Sequence, residues 1–143
     1  MSGSAALGMA LASCAGSKAS GNKGTIKNLG IQLYSLRDDL PKDPKGILKK
    51  LASFGYREIE SYEGADGMFW GMGAANFKKY VSDLGMSIIS SHCDFRKDFE
   101  RKAAEAGSIG MKYLICPYLG RQKSLDDYKK AADEFNKAGE ICQ

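Results

Sequence analysis

The sequence predicts an α/β fold of parallel strands that covers about four βα units of a (βα)8 barrel. In three places a helical pattern ends at a glycine and an apolar strand begins at the next residue, namely at Gly55, Gly85 and Gly110. No Asn-Gly turn separates the strands, and strand–helix alternation with short connections implies right-handed crossovers. A complete barrel needs ~250 residues, so about 115 residues make half of one. An open parallel sheet is the alternative.

Four segments read as strands, and the first three supply most of the polar residues considered below. The third and fourth are apolar on both parities at their centres, which predicts burial on both faces of a parallel sheet. The strand segments are LGIQLYSL at 29–36, YREIESY at 56–62, MSIISSH at 86–92 and MKYLICPY at 111–118.

Helix boundaries are marked by capping residues. Asp43 and Pro44 suit the N-cap and first position of a helix that ends before Gly55. A second helix is expected over 74–84 and a third from Phe95 to Gly110, both from apolar residues three and four apart. The fourth helix begins at Ser124, with an acid three residues later that resembles a capping box. Its predicted apolar face comprises Tyr128, Ala131, Ala132, Phe135 and Ala138.

Composition narrows the functional class. The chain has 143 residues, 43% of them hydrophobic and 27% charged, which suits one globular domain. Most of the net charge of +4 comes from residues 1–28, so no basic stripe indicates a nucleic-acid partner. No apolar run reaches the roughly 20 residues of a membrane-spanning helix. The four cysteines form no C-x-x-C pair, and Cys93 and Cys116, at or near strand ends, are interpreted as small buried thiols.

Residues 1–28 are assigned as a leader and flexible tether, and residues 29–143 as the folded domain. The sequence Leu11-Ala12-Ser13-Cys14 resembles a lipobox, in which the cysteine becomes lipidated. This predicts a bacterial periplasmic protein that is anchored to the membrane through Cys14. No basic residue precedes Lys18, so a plain N-terminal tail on a cytoplasmic protein is the alternative.

Two polar residues at strand ends are the main catalytic candidates. His92, the only histidine, ends the third strand, and strand alternation places Ile88 and Ser90 on its face. It could position a substrate hydroxyl, act as acid or base, ligate a metal, or serve a structural role. Glu58 and Glu60 lie two residues apart on the second strand, so their side chains point to the same face of the sheet. A carboxylate that points inward needs a partner such as Arg37, Lys112 or a metal. Glu60 is the stronger candidate because it is nearer the strand end.

Further candidates lie on the loops around these strand ends. Gln32, Tyr34 and Tyr118 follow or end strands and are assigned to substrate binding. The loop GADGMFWGMGAAN at 64–76 carries Trp70, which suits either a wall for a sugar face or a cap on the barrel. Its glycines match neither G-x-G-x-x-G nor a P-loop.

The strings GIQLYSLRDDLPKDPKGILKKLASFGYREIESYEG, SSHCD and GMKYLICPYLG resemble the sugar phosphate isomerase/epimerase family. That family has the xylose isomerase-like TIM barrel and is related to the family 2 AP endonucleases. The resemblance spans residues 29–143 and implies the N-terminal half of such a barrel. It implies proton or hydride transfer between adjacent carbons of a sugar, assisted by a divalent metal (Mn, Mg, Co or Zn).

Carried over by position, the resemblance makes His92 the histidine near substrate or metal, Glu60 the acid facing the site, and Trp70 part of a hydrophobic wall. The family's main metal ligands are expected beyond residue 143, so activity of this chain alone is an open question. The alternatives are a 3-keto-sugar lyase or hydratase of the same fold, and a non-catalytic, lipid-anchored sugar-binding protein. The expected partner is a small sugar or sugar derivative, and a homodimer of half-barrels is a further option.

Overall fold

The computed structural model describes residues 28–143 as four parallel strands that alternate with four α-helices. Residues 1–27 of the proposed leader, including Cys14, lie outside the described residues. The strands are β1 (Leu29–Gln32), β2 (Tyr56–Tyr62), β3 (Ser87–His92) and β4 (Tyr113–Ile115), and the helices are α1 (Pro44–Ser53), α2 (Ala74–Asp83), α3 (Phe99–Ser108) and α4 (Leu125–Ile141).

The strands are hydrogen-bonded in the order β1-β2-β3-β4, and every neighbouring pair is parallel. A doubly wound sheet reverses its strand order at a switch point, whereas this order follows the chain without reversal. Right-handed crossovers between successive neighbours place all the helices on one face. Consecutive helices also contact each other, α2 with α3 and α3 with α4. The fold is therefore half of an α/β barrel, as predicted.

The predicted helix caps are confirmed. Asp43 caps α1 by accepting a hydrogen bond from the Gly46 backbone at 2.8 Å. Ser124 and Asp127 form a complete capping box at the start of α4. The three glycines between helix and strand have positive φ angles of 95° for Gly55, 72° for Gly85 and 73° for Gly110. Side chains are strained in that conformation, so glycine allows each helix to end and the next strand to begin within two to four residues.

Three predicted boundaries were wrong. The first strand ends at Gln32 because its side chain accepts a hydrogen bond from the Tyr34 backbone and starts a 3-10 turn over Leu33–Leu36. The third helix begins at Phe99, so Phe95 belongs to the preceding loop. The fourth strand is only Tyr113–Ile115.

The two faces of the sheet differ in burial. On the helix side, Ile59 and Ile88 join the core with Phe77 and Val81. The opposite face, called the inner face here, is lined by Glu58, Glu60 and Ile89 at a shallow cavity of about 270 Å³. The prediction of burial on both faces is confirmed at the end of β3, where Ser90 and Ser91 are both buried. It was wrong for β4, which stays exposed or half-buried.

Strand β3 breaks the expected alternation. Its register with β2 shifts between Ile59 and Glu60, so that Ile59 pairs with Ile88 and Glu60 with Ser90. This β-bulge inserts one extra residue and turns the later side chains to the other face. Ile88 therefore lies in the core rather than on the face of Ser90 and His92, as the sequence had predicted.

The edge formed by β4 and α4 exposes several large side chains. Tyr113 is 62% exposed, and Leu125 and Tyr128 on α4 are 71% and 56% exposed. Of the predicted apolar face of α4, only Ala131 and Ala138 are buried. Among the helices of residues 28–143, none has both the length and the hydropathy needed to span a bilayer.

Candidate active site

The carboxyl ends of β1, β2 and β3 bring together four polar side chains on the inner face. Nε2 of His92 lies 3.1 Å from Oε1 of Glu60. The hydroxyl of Ser90 donates to Oε2 of Glu60 at 2.5 Å, and Nε2 of Gln32 lies 3.3 Å from Nδ1 of His92. We call Gln32, Glu60, Ser90 and His92 the inner cluster. Three of its members were candidates from the sequence, and the structure places them in mutual contact.

The hydrogen bonds of the inner cluster fix the proton on the imidazole. The amide oxygen of Gln32 accepts from the Tyr34 backbone N–H, which leaves its NH₂ group facing His92. Because that group can only donate, Nδ1 of His92 is the acceptor and its ring proton resides on Nε2. Nε2–H then donates to Glu60. Gln32 is thus a residue that orients His92, rather than one free to bind substrate.

Glu60 has dipolar partners and no close cation. Its side chain is 25% exposed and that of His92 is 26% exposed, so both are partly shielded from water. The predicted partners Arg37 and Lys112 are not among its contacts, since the Arg37 guanidinium lies 5.1 Å from the centre of the Tyr34 ring. The Ser90 hydroxyl and the His92 imidazole therefore hold the Glu60 carboxylate in place, one on each oxygen.

A cavity of about 1000 Å³ opens beside the inner cluster at the same end of the sheet. Its lining includes the predicted site residues Tyr34, His92 and Tyr118, together with Tyr62, which the sequence reasoning missed. Barrel enzymes bind ligands at this end of the strands. Gln32 and Glu60 line the smaller inner-face cavity instead, so His92 lies between the two spaces.

Trp70 lies behind this cavity rather than in its wall. It is 5% exposed and packs edge-on against Tyr62, with ring centres 4.8 Å apart. Its indole N–H donates to Ser61 at 3.1 Å, and Ser61 donates to the Met68 carbonyl. Trp70 is therefore a support for Tyr62, and the predicted contact with a sugar face was wrong. Burial, and secondarily the neighbouring Tyr34, raises the pKa of Tyr62.

A second polar group ties together the loops after β2 and β3. Nζ of Lys102, on α3, lies 2.7 Å from Oε1 of Glu63 and donates to the Asp94 carbonyl at 2.9 Å. Glu63 in turn accepts from the Asp94 backbone N–H at 2.9 Å. We call Glu63, Asp94 and Lys102 the loop clamp. Lys102 is 2% exposed, and the one sequence signal for its burial is its position on the same helix face as Phe99 and Ala106.

The cysteines only partly follow the prediction of small buried thiols. Cys93, at the end of β3, is buried, whereas Cys116 is half-buried and Cys142 is exposed. Burial raises the pKa of Cys93 to about 11. Lys102 of the loop clamp opposes this increase, and Glu63 adds to it.

The described residues do not make a metal site. Within residues 28–143, no three His, Cys, Asp or Glu side chains come together in a geometry that could hold a metal ion. The two best donors, Glu60 and His92, are hydrogen-bonded to each other, and Nδ1 of His92 is occupied by Gln32. The divalent metal implied by the family resemblance therefore does not fit these residues alone.

Solved structures share this arrangement of strands. Two crystal structures of sugar phosphate isomerase/epimerases from Parabacteroides distasonis match the chain with TM-scores of 0.63 and 0.68, at 30% and 29% sequence identity. Each match covers 80% of this chain. The resemblance to the sugar phosphate isomerase/epimerases is confirmed. The chain spans 47% and 50% of the length of these two isomerase/epimerases. No model of a protein family and no curated protein matches it.

Proposed function

We propose that the chain contributes the proton-transfer site of a sugar or sugar phosphate isomerase. The observation that carries this proposal is the contact between Glu60 and His92 at the carboxyl ends of the strands. A carboxylate and an imidazole in direct contact are the groups that remove a proton beside a carbonyl and stabilise the oxygen charge that develops. The structural relatives named above support the substrate class.

In this proposal Glu60 is the base. It takes the proton from the carbon next to the substrate carbonyl and returns it to the adjacent carbon. The Nε2–H of His92 turns from Glu60 to the substrate carbonyl oxygen and protonates it as negative charge accumulates there. The same nitrogen then takes the proton of the neighbouring hydroxyl, which becomes the new carbonyl oxygen. Ser90 keeps Glu60 in place through its second oxygen, and Gln32 keeps the proton of His92 on the nitrogen that faces the reaction.

One base favours isomerisation over epimerisation. Moving a proton between two adjacent carbons on one face of a sugar needs a single base, whereas inversion at one carbon needs a second group on the opposite face. In the described residues the inner cluster offers one carboxylate with an imidazole beside it. We therefore propose an aldose–ketose isomerisation as the reaction.

Exchange of the substrate's carbon-bound proton tests this proposal directly. Purified full-length chain is incubated in D₂O with aldose and ketose phosphates of five and six carbons, and deuterium incorporation is followed by NMR. We expect exchange in the wild type and a loss of about 100-fold or more in Glu60→Gln, because general-base catalysis contributes roughly 10²–10⁴-fold.

Glu58→Gln is the matched control, since Glu58 lies on the same strand and the same inner face but hydrogen-bonds to Asn28. It should retain wild-type exchange. The proposal fails if the wild type gives no exchange with any of these sugars, or if both substitutions reduce exchange equally.

Two alternatives make different predictions for the same sugars. A 3-keto-sugar lyase or hydratase also begins by removing a proton next to a carbonyl, but it yields an unsaturated sugar that absorbs in the ultraviolet. A non-catalytic sugar-binding protein is favoured by the tyrosines of the large cavity, Tyr34, Tyr62 and Tyr118, which offer ring faces to a sugar. Binding measured by calorimetry, without exchange and without absorbance change, would select that function.

Three further proposals come from the sequence, namely a metal, a lipid anchor and a homodimer. The divalent metal of the isomerase/epimerase family would need ligands beyond those described, and metal analysis of the purified protein tests for it. Lipid attachment at Cys14, with a periplasmic location, is tested by labelling with a palmitate analogue. A homodimer would pair the edges of β1 and β4, which have one neighbouring strand each among residues 28–143, and light scattering would detect it.

A further inference from the structure

Two cysteines occupy neighbouring positions at the ends of adjacent strands. The register of β3 with β4 pairs His92 with Ile115, and the Cys93 backbone N–H donates to the Ile115 carbonyl at 3.0 Å. Cys93 and Cys116 are the next residues of the two strands. Adjacent strands lie about 4.8 Å apart, and a disulfide joins Cα atoms that are usually 4.4–6.8 Å apart, roughly the same separation.

Both side chains also reach the same space. Cys93 and Cys116 line a cavity of about 200 Å³ between the sheet and α4, together with Phe95, Phe99 and Phe135. Cys142 lies at the α4 side of the same cavity. Cys93 and Cys116 also line the large cavity next to the inner cluster. The two cysteines therefore lie side by side at the boundary between the core and the candidate active site, where the Cys116 thiol donates to the Tyr118 carbonyl at 3.5 Å.

Access to the two thiols is unequal. Cys116 is half-buried in the wall of the large cavity, whereas Cys93 is 2% exposed. A small oxidant that enters the cavity meets Cys116 first, and Cys93 lies behind it. This is the arrangement of an attacking thiol with a resolving thiol beside it.

We propose that Cys93 and Cys116 form a reversible disulfide that links the ends of β3 and β4 beside His92. With a low-molecular-weight disulfide as oxidant, Cys116 attacks one sulfur, forms a mixed disulfide and releases one small thiol. Cys93 then attacks the Cys116 sulfur, the Cys93–Cys116 bond forms, and the second small thiol leaves. Two protein thiols are oxidised and one small disulfide is reduced to two thiols, so atoms and electrons balance.

Peptide mapping of the full chain tests the pairing. The reduced protein is incubated with oxidised glutathione, blocked with N-ethylmaleimide and digested with trypsin, which separates Cys93 (peptide 80–96), Cys116 (113–121) and Cys142 (138–143). We expect a cross-link between the first two peptides that dithiothreitol removes. Cys142→Ser should retain the cross-link and Cys116→Ser should abolish it.

The single histidine provides a second readout. The ring-proton resonance of His92 should move on oxidation of the wild type and of Cys142→Ser, and return on reduction, because the new bond lies one residue away. It should not move in Cys116→Ser. A cross-link that includes Cys142, glutathione attached to Cys116 without a cross-link, or full modification of Cys142 with both other thiols still reduced would each overturn the proposal.

Discussion

Two carboxylates three residues apart on the same strand end have different surroundings. Glu63, in the loop clamp, meets the ammonium of a lysine that is almost fully buried. Glu60, in the inner cluster, meets a hydroxyl and an imidazole. The lysine and the Asp94 backbone N–H tie Glu63 to the loop after β3, whereas a side chain on each neighbouring position of the sheet edge, Ser90 and His92, holds Glu60 on the inner face. In the function proposed above Glu60 is the base, whereas Glu63 holds two loops together.

The largest expected effect comes from breaking the loop clamp. Lys102→Met removes the cation and leaves the Glu63 carboxylate partly buried without a counter-charge. Loss of one partner from a buried pair is strongly destabilising, so we expect the free energy of unfolding to fall by about 3 kcal/mol. Urea denaturation followed by circular dichroism measures it.

Lys129→Met is the matched control for this substitution. Lys129 pairs with Asp126 on the exposed surface of α4, and such pairs contribute roughly 0–1 kcal/mol. If Lys102→Met and Lys129→Met destabilise the protein equally, the loop clamp has no special structural role and the contrast with the inner cluster is lost.

The second-largest expected effect is a fall in the free energy of unfolding at alkaline pH. It arises from the thiol of Cys93, the residue next to Asp94 of the loop clamp. The folded-state pKa of this thiol is raised from 9.0 to about 11. Below pH 9 both the folded and unfolded chains keep the thiol proton. Between pH 9 and 11 the unfolded chain releases it and the folded chain does not, so the folded state loses stability as pH rises. One pKa unit corresponds to 1.36 kcal/mol, and the loss amounts to about 2 kcal/mol.

Comparison of cysteine variants isolates this contribution. The slope of unfolding free energy against pH between 9 and 11 should become flatter in Cys93→Ala and stay unchanged in Cys142→Ala, because Cys142 is exposed. Equal slopes in Cys93→Ala and wild type would show that other groups cause the loss of stability between pH 9 and 11.

Local pattern was enough to predict much of the framework and part of the inner cluster. The glycines at 55, 85 and 110 marked the helix-to-strand junctions, and parity put Glu58 and Glu60 on one face, where the structure has them. Strand-end position alone identified His92. These features depend on residues close in sequence, so a single chain reveals them.

The features that the sequence did not reveal depend on distant contacts. Lys102 lies 39 positions after Glu63, and nothing in the local pattern specifies that pairing. The bulge in β3 depends on its register against β2, so strict alternation misplaced Ile88. Trp70 was expected either in a wall for a sugar face or in a cap on the barrel because its loop lies above the strand ends, but Ser61 and Tyr62 hold its ring in the core.

The smallest effect on stability, and the sharpest test of the inner cluster, comes from Gln32→Glu. A carboxylate at position 32 can still accept from the Tyr34 backbone, so we expect a change below about 1 kcal/mol in unfolding free energy. Its other oxygen now faces Nδ1 of His92 as an acceptor. The imidazole then lies between two carboxylates, which favours protons on both ring nitrogens over the single Nε2 proton of the wild type.

Nitrogen-15 NMR at pH 7 distinguishes these states without ambiguity, because the chain has one histidine. We expect one protonated and one unprotonated ring nitrogen in the wild type, and two protonated nitrogens in Gln32→Glu. Gln122→Glu, where the amide donates to the carbonyls of Leu119 and Gly120, should leave the His92 spectrum as in the wild type. A wild-type spectrum with the proton on Nδ1 would remove the donor that we assign to the substrate oxygen. Glu60 would then face an imidazole that accepts rather than donates, and its distinction from Glu63 would rest on the Ser90 hydroxyl alone.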